Sequence, residues 1–433
     1  MRVEDAQRTF STNPKWRVPD RGGERRAAPP YSLVSERSDH MIEAITAVLI
    51  LLTLLIALPT LILLVQILAS LFHSRKSPSY PMRPTVAVVV PAHDESAVIG
   101  RTITGIRSQL RAGDRLLVVA DNCSDDTARL AADRGAEVIE RRDSQRRGKG
   151  YALDYGIQHL AKAEPPQVVV FVDADCDLGV QAIETVSALS AGTGRPVQAR
   201  YLMRDTPGSG PTDRVAQFAW RVRNALRPLG YHQLGLPCPL MGTAMAFPWS
   251  VISRADLATG HLAEDQKIGA DLALAGTAPL FCPEAHVISR FPENGDAKSR
   301  QRTRWEHGHL AVIREYVPRL LRQAFRQRDP SLIAFALDVA VPPLSLLVSL
   351  LALMTCLSLA WILLTDRAAP FAIALGAVAM LGAAIGLAWM SAGRDILGLR
   401  DLSAIARHCA MRLPSIFRFF TKRQIAWIRT ERS

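Results

Sequence analysis

The stretch "VVVFVDADCD", residues 168–177, drives an apolar run straight into acids at every second position: Asp173, Asp175 and Asp177. A near-continuous Val-rich run marks a strand covered on both faces of a parallel sheet. Three more such runs precede it, "TVAVVVPA" (85–92), "RLLVVAD" (115–121) and "AEVIER" (136–141). Between the runs, "ESAVIGRTITGIRSQL", "SDDTARLAADRG" and "GKGYALDYGIQHLAKA" carry apolar residues at helical spacing and supply the crossovers of βαβ units. The pattern predicts an α/β domain over 83–300 with a mostly parallel sheet. Ligands of such sheets bind beyond the carboxyl ends of the strands, so the acids of the opening stretch stand where a ligand would.

Working outward, the chain becomes too apolar for a water-soluble domain alone. Residues 44–72 contain no charge, beyond the roughly 20 residues that cross a bilayer. We read 41–73 as a transmembrane helix that Pro59 only kinks. The run starts too far from the N-terminus, and is too long, for a cleaved signal. A hairpin of two spans is predicted over 344–391, with "TDRAAP" as its turn and Asp338, Pro342 and Pro343 leaving the preceding stretch in the interface. Residues 1–40, rich in Arg, Pro and Ser, read as a disordered tail. Residues 301–343 read as interfacial helices, and 392–433 as a basic amphipathic tail.

The net charge is +12, and nine Lys and Arg fall after residue 393. Basic residues near membrane ends mark the cytoplasmic side, which puts the 83–300 domain in the cytoplasm of a multi-pass inner-membrane protein. The eight Lys and Arg in residues 1–40 pull the other way, so the side of that tail stays open. In "RFFTKRQIAWIRTERS" the basic residues alternate with aromatic and aliphatic ones, which points to membrane lipid rather than nucleic acid as the partner. The six cysteines never approach a CxxC spacing and are expected as free thiols.

The candidate chemistry lies at strand ends and on one late helix. Asp173 and Asp175 share a face of an extended segment and offer two hard oxygen donors suited to Mg²⁺ or Mn²⁺. A solvated strand end with a turn is the competing reading. Asp121 ends the second Val-rich run, while Asn122, Ser124 and Asp126 are candidate caps for the next helix. "RRDSQRRGKG" presents Lys149, suited to a diphosphate or else part of a surface charge run. In "HLAEDQKIGADLALAG" the pair Glu264 and Asp265 opens a helix, as dipole-complementing acids or with one as general base. In "QRTRWEHGHL", Gln301, Arg304 and Trp305 fall at i, i+3 and i+4 on one face, able to hold a diphosphate and stack on a sugar, or simply to lie at a membrane interface.

The order of an aspartate, a DxD, an ED and a QxxRW over roughly residues 84–310 resembles the family 2 glycosyltransferases, in the membrane-bound branch with cellulose, chitin and hyaluronan synthases. The resemblance implies a GT-A fold, a nucleotide-sugar donor, a divalent metal and inversion at the anomeric carbon. It further implies that Glu95 and Asp121 hold the nucleoside, and that Lys149, Gln301 and Arg304 face the diphosphate. Asp173 and Asp175 then bind nucleotide and metal, Asp265 is the base and Trp305 meets the acceptor. No FxVTxK follows the QxxRW and only three spans are expected, so single-sugar transfer to a glycan or lipid-linked acceptor in surface polysaccharide assembly, alongside other assembly proteins, is favoured over a processive β-polysaccharide synthase. A nucleotidyltransferase or dinucleotide enzyme would need a Gly-rich loop where this chain has "PAHDESAVIG". A non-enzymatic scaffold would need neither acid cluster.

Overall fold

In the computed structural model, residues 30–72, 80, 83–204, 210–292 and 294–421 are described. The chain divides into Met1–Val48 and Leu49–Ser433. Helix α1 (Pro30–Ser70) runs through Pro59 without a break. It begins well before residue 41, since proline's fixed φ and missing N–H suit the first turn of a helix. Residues 1–29 of the expected tail lie outside the described residues.

The four Val-rich runs form β1 (Val86–Ala92), β2 (Arg115–Asp121), β3 (Glu137–Arg141) and β4 (Val168–Phe171), joined through α2 (Ile99–Arg107), α3 (Thr127–Asp133) and α4 (Lys149–Leu160). All are parallel, in the order β3-β2-β1-β4. Alternation along β1 decides which helix each residue meets. Val86, Val88 and Val90 pack with Ile99, Ile103 and Ile106 of α2, whereas Ala87 and Val89 pack with Leu153, Ile157 and Leu160 of α4. Both faces are thereby dry, which is why β1 tolerates no polar residue.

The sheet continues through β5 (Asp177–Leu178), β6 (Val197–Arg204), β7 (Met245–Pro248) and β8 (Leu280–Arg290), with α5 (Ala182–Thr193) between β5 and β6. The full order is β3-β2-β1-β4-β7-β6-β8-β5. The β4–β7, β6–β7 and β5–β8 pairings are antiparallel and the other four parallel, so the α/β sheet is mixed with parallel pairing in the majority. Two of the antiparallel pairings are made by β7, a short strand that turns back against β4 after the Gly- and Pro-rich 234–244 loop.

Helix α6 (Pro211–Arg221) passes into a π-helical turn, Val222–Leu226, and then α7 (Arg227–Gln233). The short α8 (Trp249–Ile252) and α9 (Glu264–Leu274) lead to the long α10 (Gly295–Gln327) and α11 (Pro330–Ala340). Then come α12 (Leu344–Thr365), α13 (Ala369–Ala392) and α14 (Leu402–Thr421). The expected start of an interfacial region at residue 301 thus falls inside α10, whose first turn is capped by the Asn294 side chain. Asp39–Ser70, α12 and α13 are long and apolar enough to cross a membrane. Their inner faces meet α6: Leu63 and Ile67 pack with Val215, Phe218 and Val222, and with Leu347, Leu351 and Leu381.

One polar cluster ties these layers together. Arg227 donates to Asp338 Oδ1 at 2.5 Å and to Gln66 Oε1 at 3.0 Å, and Gln66 donates to the same Asp338 oxygen at 2.8 Å. All three residues are buried. Asp338, which interrupts the apolar run after Ser331, is therefore an inward-facing ion-pair partner. Gly230 lets α7 close on α1, because a Cβ there would stand 1.9 Å from the Gln66 carbonyl oxygen.

Candidate active site

The site forms where β1, β2 and β4 end. β4 stops at Phe171, and Ala174 and Asp175 lie in a turn. The two acids therefore converge through that turn rather than by alternation along an extended strand, because antiparallel β7 pairs only as far as Phe171. The turn is held from behind. Asp173 N–H donates to Thr243 Oγ1 at 3.0 Å, and Ser289 Oγ donates to Asp175 Oδ2 at 2.6 Å. Thr243 is fully buried and follows Gly242, whose φ of +99° is one a side chain would strain. The "LGLPCPLMGTAMAFP" segment is thus both a site wall and the lead into β7.

Oxygens of Asp173 and Asp175 and the Cys176 sulfur lie within 4.8 Å of one another. Burial pushes the Cys176 thiol up, aided by both neighbouring carboxylates, so it stays protonated. The two carboxylates are the hard donors, and they fit Mg²⁺ or Mn²⁺ better than a soft metal.

Lys149, at the start of α4, reaches across this acidic floor. Its ammonium pairs with Asp173, donates to the Gly242 carbonyl at 2.5 Å and stands 3.6 Å from Glu264 Oε1. Burial works to lower its pKa, but the charges of Asp173 and Glu264 outweigh that and hold it above the usual lysine value. It is an interior cation bridging the DxD to the ED, not part of a surface charge run.

Asp265, in the first turn of α9, is pushed up to about 7. Burial is the main cause and the Glu264 charge adds to it, against Lys149, the Gln266 backbone N–H and Arg223. A carboxylate poised there can take a proton near neutral pH. Asp121 is buried at the end of β2, where Arg141 donates to its Oδ1 at 2.7 Å and Asn122 at 2.9 Å. Burial raises its pKa despite Arg141. The expected capping of α3 falls instead to Asp125, which accepts from the Thr127 N–H at 3.0 Å.

Gln301, Arg304 and Trp305 of α10 all face the same cleft, and so do Glu95, Asp121, Lys149, Asp173, Asp175 and Asp265. Every residue to which the resemblance gave a role is brought to one cavity; Asp177 of the opening stretch is not, and pairs instead with Arg101 at 2.9 Å. Others in its wall were not singled out: His93, Arg147, Trp220, Arg223 and Asn224. Trp220 packs against Trp305 with ring centroids 4.7 Å apart, and its indole N–H donates to the Tyr201 carbonyl at 3.1 Å. For Trp220, Arg223 and Asn224 the one signal was two aromatic and two basic side chains in "FAWRVRNAL", which reads equally well as an amphipathic helix.

The glycosyltransferase-like family 2 signature matches residues 84–308, just over half of the chain. The chain belongs to this family. The transferase is 29% identical over 188 residues to an uncharacterized glycosyltransferase of Mycobacterium tuberculosis, covering 39% of this chain and 82% of that one. It is 26% identical over 264 residues to the probable glycosyltransferase YdaM of Bacillus subtilis, covering 55% of this chain and 58% of that one. Among solved structures, the mannosyltransferase PcManGT of Pyrobaculum calidifontis, in complex with GDP-Man and Mn²⁺, superposes with a TM-score of 0.50 at 18% identity. The overlap covers 87% of this chain and 94% of that one, so the transferase has the GT-A-type fold.

Proposed function

We propose that this transferase moves a sugar, with inversion, from a nucleotide-sugar donor, in our reading a UDP-sugar, to a membrane-associated, lipid-linked glycan. The setting is bacterial surface or exopolysaccharide assembly, in the membrane-bound branch of the family. The observation that carries the reading is the convergence of Asp173, Asp175, Lys149, Asp265, Gln301, Arg304 and Trp305 on one cleft beside helices able to cross a membrane. The three apolar helices and the basic C-terminal region support a multi-pass inner-membrane protein with residues 83–300 in the cytoplasm.

Glu95 and Asp121 hold the nucleoside, and Lys149, Gln301 and Arg304 face the diphosphate. Asp173 and Asp175 would hold Mg²⁺ or Mn²⁺, which when bound offsets the charge of the departing nucleoside diphosphate. Asp265 accepts the proton of the acceptor hydroxyl as its oxygen bonds to the anomeric carbon. The bond from that carbon to the phosphate oxygen breaks, and its electron pair leaves with the diphosphate. Trp305, backed by Trp220, gives the acceptor sugar a flat apolar face. A single displacement inverts the anomer and needs no carboxylate nucleophile, in contrast to a retaining glycosidase.

The test is to profile purified full-length protein against a panel of nucleotide sugars, with product length measured on the active donor. Donor turnover with addition of one sugar supports the reading. A ladder of long products would replace it with the processive synthase, and turnover of no nucleotide sugar would remove it.

A further inference from the structure

A second cavity adjoins the cleft, and the two share Trp220, Arg223 and Trp305. On the far side of these residues the walls are mostly apolar, with Leu63 of α1, Val215 and Phe218 of α6, Leu344 and Val348 of α12, and Ile385 of α13. Three arginines in this lining already have carboxylates. Arg227 pairs with Asp338 at 2.5 Å, Arg302 with Asp213 at 3.0 Å and Arg412 with Glu306 at 2.6 Å. Arg223 differs from them. Among the described residues it makes no hydrogen bond and no ion pair, and it feels Asp265 and Asp338 only at longer range.

The neighbouring Asn224 is 3% exposed, and its amide nitrogen has no partner among the described residues, although it lines the cleft. Both residues lie in the π-helical turn Val222–Leu226. Val222 and Leu226 of this turn lie in the apolar layer, Arg223 at the junction of the two cavities and Asn224 beside it in the wall of the cleft. π-Turns cluster at functional sites, and a buried donor left without an acceptor is costly unless a ligand supplies one.

We infer that this junction is the acceptor-head site for a phosphate-headed lipid, with the phosphate on Arg223 and Asn224 and the hydrocarbon chain in the apolar cavity behind Trp220 and Trp305. The inference rests on the reading of the acceptor as lipid-linked and assigns its two ends. A guanidinium beside an amide N–H suits the planar, multidentate recognition of phosphate oxygens. The mostly apolar cavity beyond suits hydrocarbon better than a sugar chain, whose hydroxyls would lose water there for few partners. Arg223 and Asp265 line the same cleft, so a head group held at the junction places its attached sugar in the cavity that holds Asp265.

The experiment uses full-length protein in phosphatidylcholine nanodiscs, photolabelled with a diazirine-bearing farnesyl phosphate or the corresponding farnesol. Cross-links are mapped by mass spectrometry, and nucleoside diphosphate affinity is measured on the same samples. The phosphate probe should label residues 215–223 and 341–348 saturably, at about tenfold lower concentration than the alcohol. Arg223→Gln should abolish that preference, Arg223→Lys should keep part of it, and Asp265→Asn should label as wild type does. Equal labelling by alcohol and phosphate, or no saturable labelling at these segments, overturns the site. So does an Arg223→Gln variant that loses nucleotide affinity and keeps the phosphate preference, which would move Arg223 to the donor. Lost labelling with intact nucleotide binding and donor turnover defeats this inference and leaves glycosyl transfer standing. Absent donor turnover defeats the latter.

Discussion

Asp265 is held between two opposing demands. Its raised pKa, about 7, means that the folded protein binds a proton more tightly there than the unfolded chain does. The associated stability is present in full below the unfolded value near 4 and is lost as pH rises through about 7. Without metal or donor, Asp265→Asn should therefore melt higher than wild type at pH 8 and match it near pH 4. With Asp265 as the proposed base, transfer has the opposite sign, because a base must be ionised: kcat/KM should climb with pH to a plateau, with a midpoint near 7. Asp265→Asn should lose about 10²- to 10⁴-fold in transfer, and its residual activity should lose that acid limb. Unchanged nucleoside diphosphate affinity on the same protein separates this from a donor-binding role, and Glu264→Gln should cost less. At the metal pair, Asp175→Asn removes one of two converging carboxylates. We expect transfer to fall strongly and Mn²⁺ affinity, read by titration, to weaken with it. Full activity in EDTA would refute the role.

Among elements, the contact of α7 with α1 and α11 is the most specific. Arg227, Asp338 and Gln66 are buried together, so removing one partner strands a charge. Arg227→Met alone should destabilise by about 3–5 kcal/mol. Arg227→Met with Asp338→Leu should recover most of that, as apolar replacements of buried ion pairs often do. Thermal unfolding of both variants in detergent is the check, and equal loss in single and double variants would show that packing rather than charge holds the contact. The elements also show why the DxD was legible as residues but not as geometry. Its carboxylates converge because β4 stops at Phe171 and Thr243 and Ser289 brace the turn, partners far away in sequence.

For the whole molecule, the decisive question is which side of the membrane holds the α/β domain. Reporter fusions placed after Ser433 and within residues 365–370 should report opposite sides, the former cytoplasmic. Agreement between the two would sink the hairpin of α12 and α13. At this scale the apolar helices and the sheet are linked through α6 and the π-turn. The wall of the second cavity and the layer of apolar helices are thereby parts of one packed cluster.

The local code determined much of this protein. Val-rich runs with helical stretches between them predict the strands β1 to β4 and their crossovers; β1, β2 and β4 are covered on both faces and carry mostly apolar side chains, while the edge strand β3 keeps Glu137 and Glu140 exposed. Long uncharged runs predict the apolar helices for a similarly local reason, bilayer thickness. The acids and QxxRW were legible because their types and order are unusual. Tertiary structure alone decided the antiparallel return of β7 and the change of Lys149 from a loop cation to a bridge between Asp173 and Glu264. It also decided the raised pKa of Asp265 and the placing of Trp220, Arg223 and Asn224 in the site wall. Each of these depends on which distant groups share a low-dielectric space, and neither the period nor the composition of a local segment carries that information.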